Sequence, residues 1–378
     1  MKPLIKWPGG KSAEIRQFLP FIPEKYDRYI EPFVGGGALY FQIRPERAVL
    51  GDISENLIAF YRLIGRNDAA FRGWLEKYDE AFTSLRRACE AAGDRLMELF
   101  LLFEYARETH FSAGPLHICK GMTDEICHDP AFWEAAGGLV PDEAVFLQIM
   151  EKSVEEKYLR TLENHRKNAF SPLDLQENIL TGFLGGFYLY SRSVFNDLES
   201  GRLQADEAFR VANFYFVREY CYGSMFRYNR NGEFNIPYGG ISYNRKNFRE
   251  KINRIFAPET TALLSGAVCL CCDFEEQMAQ LELTKNDFLF LDPPYDTRFH
   301  EYEGHAFDRH DQKRLADFLK QTPARFLLVI KNTDYIYSLY EGHFQIFAFE
   351  NQYLYNVRRR NERKAEHLLI TNIQPGKP

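Results

Sequence analysis

Short apolar runs that end in glycines or acidic residues characterise both ends of the chain. Near the N-terminus, Tyr29-Ile30 leads into a glycine-rich segment, and Ala48-Val-Leu-Gly51 ends at Asp52. Four further runs begin at residues 268, 288, 326 and 367. A strand, a glycine-rich turn, a helix and a second strand ending in an acid form the first half of a doubly wound α/β sheet. The pattern predicts one α/β domain to which both ends of the chain contribute.

The middle of the chain has a different periodicity. Apolar residues from Leu96 to Phe103 recur at helical spacing, and residues 146–162 and 206–222 have the same pattern. Strand signals are few in this region. We therefore predict a mostly helical domain inserted into a split α/β domain, with residues 1–60 and 266–378 in the α/β domain and residues 61–265 in the insertion.

Composition narrows the class of protein. Hydrophobic residues make up 45% of the chain and charged residues 26%, the usual mix of a folded globular protein. No apolar run approaches the roughly 18–20 residues that a membrane helix requires, and the N-terminus has no apolar signal-peptide region. Seven cysteines, with Cys271 and Cys272 adjacent, suit a reducing compartment better than a disulfide framework. The composition predicts a cytosolic protein.

Charge is distributed unevenly. The formal net charge is −6, yet residues 223–254 contain seven Arg or Lys and only two Glu. A second basic stretch, residues 356–364, contains Arg358, Arg359, Arg360, Arg363 and Lys364 beside a single Glu. Because nucleic-acid binding depends on local patches, two basic stretches keep that class open despite the acidic total. The alternative is that both are ordinary solvated surface.

The segment Phe288-Leu-Phe-Leu-Asp-Pro-Pro-Tyr295 gives the strongest chemical signal. An apolar strand ends there in a carboxylate, two prolines and an aromatic ring. Ligands of doubly wound sheets bind at the carboxyl ends of the strands, and two prolines make a rigid turn whose preceding carbonyls are held outward. Asp292 and a carbonyl beside it can thus accept both hydrogens of an amine that lies flat against Tyr295. The tetrapeptide alone also fits a tight strand-to-helix turn with a capping aspartate.

The segment Glu31-Pro-Phe-Val-Gly-Gly-Gly37 predicts a loop that a bulky ligand can approach closely. Asp52 follows at the tip of the next strand, where an acid commonly accepts hydrogen bonds from ribose hydroxyls. A glycine run by itself is equally an ordinary turn. The chain has no Gly-x-x-x-x-Gly-Lys-Ser/Thr pattern, so this loop is not predicted to bind a nucleoside triphosphate.

Together these segments resemble the bacterial Dam-like DNA adenine methyltransferases, the α-group of S-adenosylmethionine-dependent amino-methyltransferases. The resemblance covers roughly residues 1–65 and 223–372. Seven blocks match in the family order: residues 6–11, 31–37, 50–56, 226–239, 272–274, 292–295 and 357–369. The family has a further block like Ser191–Asn196, usually close to the Arg-Tyr-Asn segment at 227–229, but about 30 residues separate the two here. Because of this departure, the target DNA sequence is not predicted.

The resemblance implies fold, activity and partners. The fold is a Rossmann-like class I methyltransferase sheet, and the inserted domain recognises DNA. The activity is methyl transfer from S-adenosylmethionine to the N6 amine of an adenine flipped out of duplex DNA. The implied setting is the bacterial or phage-type cytoplasm at the nucleoid, as a monomer or weak dimer, with a restriction endonuclease or defence system as a possible partner and no membrane contact.

The resemblance also implies three groups of site residues. Catalysis is assigned to Asp292, Pro293, Pro294 and Tyr295. Cofactor binding is assigned to Trp7, Lys11, Glu31, Phe33, Gly35, Gly37, Asp52, Asp273, Phe274 and Asp292. DNA binding is assigned to Arg227, Tyr228, Asn229, Arg230, Asn235, Pro237, Tyr238, Arg245 and Lys246.

Other acceptors and other classes remain as alternatives at this stage. The same catalytic turn can serve the amine of cytosine, RNA or a protein glutamine, and a catalytically inactive DNA-binding relative would keep the fold. No metal is expected, because His110, His117, Cys119, Cys127 and His128 fit no standard zinc spacing. No covalent enzyme intermediate is expected either, since the chain has no Pro-Cys pair.

Overall fold

The structure, a computed structural model, describes residues 1–11, 14–108, 114–127, 129–295, 301–302, 305–352 and 364–373. His110 and His128 lie outside the described residues, as do Arg358, Arg359, Arg360 and Arg363 of the second basic stretch. Within the described ranges, no helix is long and apolar enough to cross a membrane.

Nine strands are present in the described part of the chain. They are β1 Tyr29–Glu31, β2 Ala48–Asp52, β3 Ala267–Cys271, β4 Phe288–Leu291, β5 Glu301–Tyr302, β6 His305–Ala306, β7 Arg325–Lys331, β8 Gln345–Gln352 and β9 Lys364–Thr371. Seven of them form one sheet in the order β3-β2-β1-β4-β7-β9-β8, and β5 pairs only with β6. The first five strands of the sheet run parallel, and β9 is antiparallel to both β7 and β8.

Fifteen α-helices connect and flank these strands in the described ranges. They are α1 Ile15–Phe18, α2 Ala38–Ile43, α3 Glu55–Gly65, α4 Ala69–Ala91, α5 Gly93–Glu108, α6 Gly114–Cys127, α7 Pro130–Ala136, α8 Glu143–Lys167, α9 Pro172–Glu199, α10 Glu207–Tyr220, α11 Phe248–Ile255, α12 Pro258–Ser265, α13 Phe274–Ala279, α14 Arg309–Gln321 and α15 Asp334–Tyr340.

The chain forms two compact units. One, here called the sheet unit, consists of residues 1–67 and 257–378 and contains the seven-stranded sheet. The other, here called the helical unit, consists of residues 68–256 and contains α4 to α11. The fold class predicted from the sequence is confirmed, because the sheet is mostly parallel and is flanked by helices in the manner of a Rossmann-like methyltransferase.

The sheet unit is organised around its central parallel strands. All four residues of β4 are buried, as expected for a parallel strand that is covered on both faces. Two strands that are far apart in sequence lie side by side, because Tyr29 of β1 pairs with Phe288 of β4. From β1 the chain passes to β2 on one side, and it returns from β3 to β4 on the other. The topological switch point therefore lies between β1 and β4, where doubly wound sheets bind ligands.

Long amphipathic helices build the helical unit. Helix α9 begins with a capping box, in which the Ser171 and Asp174 side chains each bind the other residue's backbone N–H. Its buried face contributes Phe187 to an aromatic core, where Tyr78 of α4 stacks on Phe216 of α10 with ring centroids 4.6 Å apart. The helical unit therefore has a hydrophobic core of its own.

Candidate active site

Asp292 lies directly after β4, at the carboxyl edge of the sheet and beside the switch point. Its Oδ1 is 2.7 Å from the Nζ of Lys11, which is only 3% exposed, whereas the Asp292 side chain is 19% exposed. Burial raises the pKa of Asp292, and the Lys11 ammonium offsets only part of that rise. The Lys11 ammonium thus holds the carboxylate in place, but it does not fully offset the effect of burial on the pKa of Asp292.

The Lys11 ammonium makes further contacts at the same point. Besides Asp292, its Nζ donates to the Gly9 carbonyl at 2.9 Å and to the Tyr295 hydroxyl at 2.7 Å. The Pro294 carbonyl accepts a hydrogen bond from the Gln312 amide at 2.9 Å, which fixes the proline turn against α14. The sequence-predicted catalytic segment and Lys11, 281 residues earlier than Asp292, therefore form one cluster.

The glycine-rich loop after β1 packs around Trp7. Gly35 has a φ of +45°, and a Cβ at this position would lie 2.8 Å from the Trp7 ring, so a side chain here meets both backbone strain and a clash. The Gly35 N–H donates to the Asp52 carboxylate at 3.0 Å, and the Ser54 N–H does the same. Trp7, Gly35 and Asp52, predicted from three separate blocks, are thus neighbours.

Burial perturbs the other acids of this edge as well. Burial raises the pKa of Asp52 to about 6, although the backbone N–H groups that it accepts lower it in part. Glu31 ends β1 and accepts a hydrogen bond from the Tyr29 hydroxyl at 2.8 Å. Burial, together with the nearby Asp292 and Asp52 carboxylates, raises the pKa of Glu31 well above its ordinary value. Perturbed acids that cluster at one site are a mark of function.

Aromatic rings form the next part of the same edge. Phe33 packs against Phe274 and Phe307, with ring centroids 5.6 Å and 5.5 Å away. Asp273, which precedes Phe274, is 2.6 Å from an Arg314 guanidinium nitrogen, and Arg314 also lies over the Phe274 ring. Asp273 and Phe274, which the resemblance assigns to cofactor binding, are therefore held in place by Arg314 of α14.

Three residues of this site were not predicted from the sequence. Gln277 of α13 donates to the Pro32 and Cys272 carbonyls at 3.3 Å and 2.7 Å, and it lies so close to Gly51 that a Cβ there would clash with it. Glu14 and His367 lie next to the Lys11 cluster, as described below. Gln277 and Glu14 lie outside the family blocks, and His367 lies in the block at 357–369 without an assigned role, because each acts through residues that are distant in sequence.

The predicted DNA-binding residues lie in the helical unit. Tyr228 and Phe234 form an antiparallel bridge, and Asn229 closes the turn between them by accepting from the Asn231 and Glu233 backbone N–H groups at 2.9 Å and 3.0 Å. We call residues 226–235 the basic turn. Arg227 and Arg230 are exposed on it, and the Arg227 side chain also donates to Asn235 at 2.9 Å.

Side chains of α9 hold the backbone of this region. Asn196 donates to the Phe234 carbonyl at 3.1 Å and accepts from the Phe234 N–H at 2.8 Å. The Ile236 carbonyl accepts from both Tyr188 and Arg192, at 2.8 Å and 2.9 Å. The fold thus brings the block at residues 191–196 against Phe234 and Ile236 at the end of the basic turn, despite their separation along the chain.

Two of the predicted cations have acidic partners within the helical unit. Arg245 contacts Glu90 and Glu177 at 2.7 Å and 2.5 Å. Lys246 lies 2.7 Å from Glu219, which is fully buried. The other predicted residues of this region differ in exposure: Pro237 is exposed on the surface, whereas Tyr238 is half-buried and packs on Tyr188 and Tyr220.

A parallel sheet that presents a glycine-rich loop, an acid after its second strand and an Asp-Pro-Pro-Tyr turn at one edge defines the class of Rossmann-like methyltransferases. The chain matches the model of the D12 class N6 adenine-specific DNA methyltransferase family over residues 7–99 and 152–355. The chain belongs to this family, and it is an enzyme that methylates N6 of adenine in DNA. The prediction of a Dam-like adenine methyltransferase is confirmed.

Three relatives are similar to this chain over most of their own length. The Type II methyltransferase M.CviBI of Paramecium bursaria Chlorella virus NC1A is 26% identical over 98% of this chain and 100% of its own. The Type II methyltransferase M.MjaIII of Methanocaldococcus jannaschii is 26% identical over 90% of this chain and 89% of its own. The DNA adenine methylase of Vibrio cholerae is 23% identical, over 89% and 84% respectively.

Proposed function

We propose that the methyl donor is S-adenosylmethionine and that the carboxyl edge of the sheet unit binds it. The residues at this edge fit this cofactor. Asp52 offers carboxylate oxygens to ribose hydroxyls, the rings of Phe33 and Phe274 suit an aromatic base, and the surrounding acids suit a molecule that carries positive charge. The cofactor supplies an electrophilic methyl group on its positively charged sulfur. The proposed set of binding residues is completed by Trp7, Lys11, Glu31, Gly35, Gly37, Asp273 and Asp292.

The catalytic role belongs to Asp292, Pro293, Pro294 and Tyr295. An adenine amine is a poor nucleophile because its lone pair is delocalised into the ring. Asp292 and the Pro293 carbonyl accept its two hydrogens, which favours tetrahedral nitrogen and releases the lone pair for attack. The Asp292 carboxylate also stabilises the positive charge that develops on the amine. The observation that carries this assignment is the position of Asp292 directly after β4, beside the switch point, where Lys11 lies 2.7 Å from its carboxylate and 2.7 Å from the Tyr295 hydroxyl.

The target adenine is flipped out of the duplex before it reacts. A stacked base is inaccessible to Asp292, so the nucleotide has to leave the helix. Tyr295 provides a ring against which the extruded base stacks, a contact worth about 1–3 kcal/mol.

The basic turn of the helical unit contacts the duplex. Arg227 and Arg230 are exposed and suit phosphates, whereas Tyr228, Asn229 and Asn235 are half-buried and lie beside them. For Arg245 and Lys246 we propose a supporting role, since their charges face Glu90, Glu177 and Glu219. Phosphate contacts fix the register of a protein on DNA without reading sequence.

The enzyme acts on cellular DNA in the cytoplasm at the nucleoid, as a monomer or weak dimer. It serves as the modification partner of a restriction endonuclease or another defence system. Two of the relatives carry Type II methyltransferase names, and this supports the pairing. Methylation at one recurring short sequence is the expected signature, and methylation at unrelated sequences would contradict the pairing.

The test is methyl transfer from labelled S-adenosylmethionine to duplex DNA of mixed sequence, followed by nucleoside analysis and mapping of the modified positions. We expect N6-methyladenine as the product, and no product with Asp292→Ala. Labelled cytosine, or transfer by Asp292→Ala at the wild-type rate, would overturn the assignment.

A further inference from the structure

The Tyr295 hydroxyl has a second contact that neither a sequence motif nor the family match assigns. The Nε2 of His367 lies 3.1 Å from this hydroxyl, and the two rings have centroids 5.6 Å apart. His367 is fully buried. It lies beyond residue 355, where the match to the family model ends. The contact therefore calls for a physical account of its own.

Topology places His367 at the catalytic edge. Strand β9 is antiparallel to β7, and His367 near its start pairs with Lys331 at the end of β7. Strand β7 runs parallel to β4, so both end at the same edge of the sheet. Because β9 runs antiparallel to β7, its first residues lie at that edge, beside Asp292 and Tyr295. Only β7 separates β9 from β4 in the sheet.

The chemistry of the contacts fixes the direction of the hydrogen bonds. Lys11 has donors only, so the Tyr295 oxygen accepts from it, and the hydroxyl hydrogen is available to the Nε2 of His367. Burial, with help from the Lys11 and Lys331 cations, lowers the pKa of His367 to about 4, so the imidazole is neutral. Glu14 Oε2 lies 3.9 Å from Nδ1, beyond hydrogen-bond distance, and the tautomer that carries its hydrogen on Nδ1 leaves Nε2 to accept from the hydroxyl.

We propose that His367 is a positioning residue for methyl transfer, which holds the Tyr295 hydroxyl against Lys11 and so fixes the ring beside Asp292 before the adenine arrives. The proposal rests on the proposed function, since it requires Tyr295 to be the stacking surface. A ring that is already oriented loses less freedom when the base binds, and the reacting amine meets Asp292 in a defined geometry. The hydroxyl also accepts from Lys11, which helps to keep that ammonium beside Asp292.

The test is a double-mutant cycle with His367→Gln and Tyr295→Phe in the full-length enzyme. We expect each single variant to lower kcat about tenfold while KM for S-adenosylmethionine stays unchanged. The double variant is expected to be no slower than the slower single variant, because both changes remove one interaction. If the two single losses of kcat multiply in the double variant, His367 acts independently of the Tyr295 hydroxyl and the proposal is wrong. A wild-type kcat in His367→Gln would likewise remove His367 from the mechanism.

Two controls separate the possible failures. His343→Gln makes the same change at an exposed histidine of the sheet unit and is expected to leave kcat unchanged. If His367→Gln does not fold, a wild-type kcat in Tyr295→Phe still overturns the proposal, because the proposal requires that kcat to fall. Transfer retained by Asp292→Ala would contradict the proposed function, whereas the cycle reports only on His367 and the hydroxyl.

Discussion

The Lys11–Asp292 pair of the sheet unit and the Lys246–Glu219 pair of the helical unit have the same nitrogen–oxygen distance, 2.7 Å, but opposite electrostatic outcomes. Glu219 is fully buried, and a second ammonium, that of Lys251, lies 3.2 Å away. Burial alone would raise the pKa of Glu219, yet the two lysines outweigh it and the pKa falls below its ordinary value. Among the described residues, the lysine paired with Asp292 is Lys11, and the pKa of Asp292 is raised.

The difference lies in the surroundings rather than in the contact. Glu219 is compensated by two cations, whereas the single Lys11 serves a region that also contains the acids Glu14 and Glu31. Breaking a fully compensated buried pair costs stability, while an under-compensated carboxylate retains acceptor capacity for a ligand. The comparison therefore separates a structural ion pair from a functional one.

The largest expected effect is on chemistry. Asp292→Ala should lower the rate of methyl transfer by a factor of about 10² to 10³ or more, because it removes the acceptor and the charge that stabilise the reacting amine. DNA binding should change little. Single-turnover transfer and a DNA-binding titration measure the two effects, and Asp334→Ala, at an exposed acid of the same unit, is the matched control. Equal losses of methyl transfer in Asp292→Ala and Asp334→Ala would contradict a specific role of Asp292 in catalysis.

Glu219→Gln should affect stability instead. It leaves Lys246 and Lys251 without their carboxylate, and we expect the free energy of unfolding to fall by about 3 kcal/mol. This is the lower end of the range for a broken buried pair, since the two lysines are 15% and 25% exposed. Urea unfolding measures the change. A stable Glu219→Gln variant that has lost methyl transfer would reverse the distinction between the two pairs.

The affinity for S-adenosylmethionine should depend on pH through Asp52. Its pKa of about 6 means that the carboxylate becomes protonated as pH falls through 6, and a protonated acid is a poorer acceptor for ribose hydroxyls. We expect the affinity to fall by up to about tenfold for each pH unit below 6. Calorimetric titration between pH 5 and 8 measures this.

Two variants identify the group responsible for that pH dependence. Asp52→Asn should bind weakly with little dependence on pH. Glu14→Gln removes the acid whose pKa burial raises to about 7, and it should keep the midpoint near pH 6. If the midpoint disappears in Glu14→Gln and persists in Asp52→Asn, Glu14 rather than Asp52 causes the pH dependence, and the prediction is wrong.

The smallest effect is expected at the basic turn. Arg227→Ala should weaken DNA binding a few-fold and reduce the salt slope by about one, as loss of one phosphate contact does. Arg245→Ala should leave the slope unchanged, because Glu90 and Glu177 already compensate that charge. Binding measured at several salt concentrations distinguishes the two. The opposite ranking would mean that Arg245 is released from its acids to contact DNA.

The sequence predicted the parts of the site that short segments specify. The runs at 288–291 and 326–330 are strands β4 and β7, and the glycine-rich and Asp-Pro-Pro-Tyr segments follow the strands expected of them. Such predictions succeed because strand period, glycine and proline act locally. Strand β8 was not predicted, because its residues from Gln345 onward form a strand through their pairing with β9, which a local pattern does not show.

Contacts between side chains that are distant in sequence could not be predicted from the sequence. Arg245 and Lys246 are basic residues in a basic stretch, and nothing local indicates that Glu90, Glu177 and Glu219 lie opposite them. His367 appears in sequence as one polar residue at the start of an apolar run, and its contact with Tyr295 spans 72 positions. Compensation of charge is a property of the folded chain, so composition alone does not reveal it.

The neighbouring positions of β1 and β4 also set an order of events during synthesis. Strands β1 and β2 are complete by residue 52, but β4 ends at residue 291. At roughly 5–20 residues per second, the wait between them is on the order of tens of seconds. The helical unit, with its own aromatic core, has time to fold in that interval, while β1 keeps an unsatisfied edge. The catalytic edge is therefore among the last parts of the protein to be completed on the ribosome.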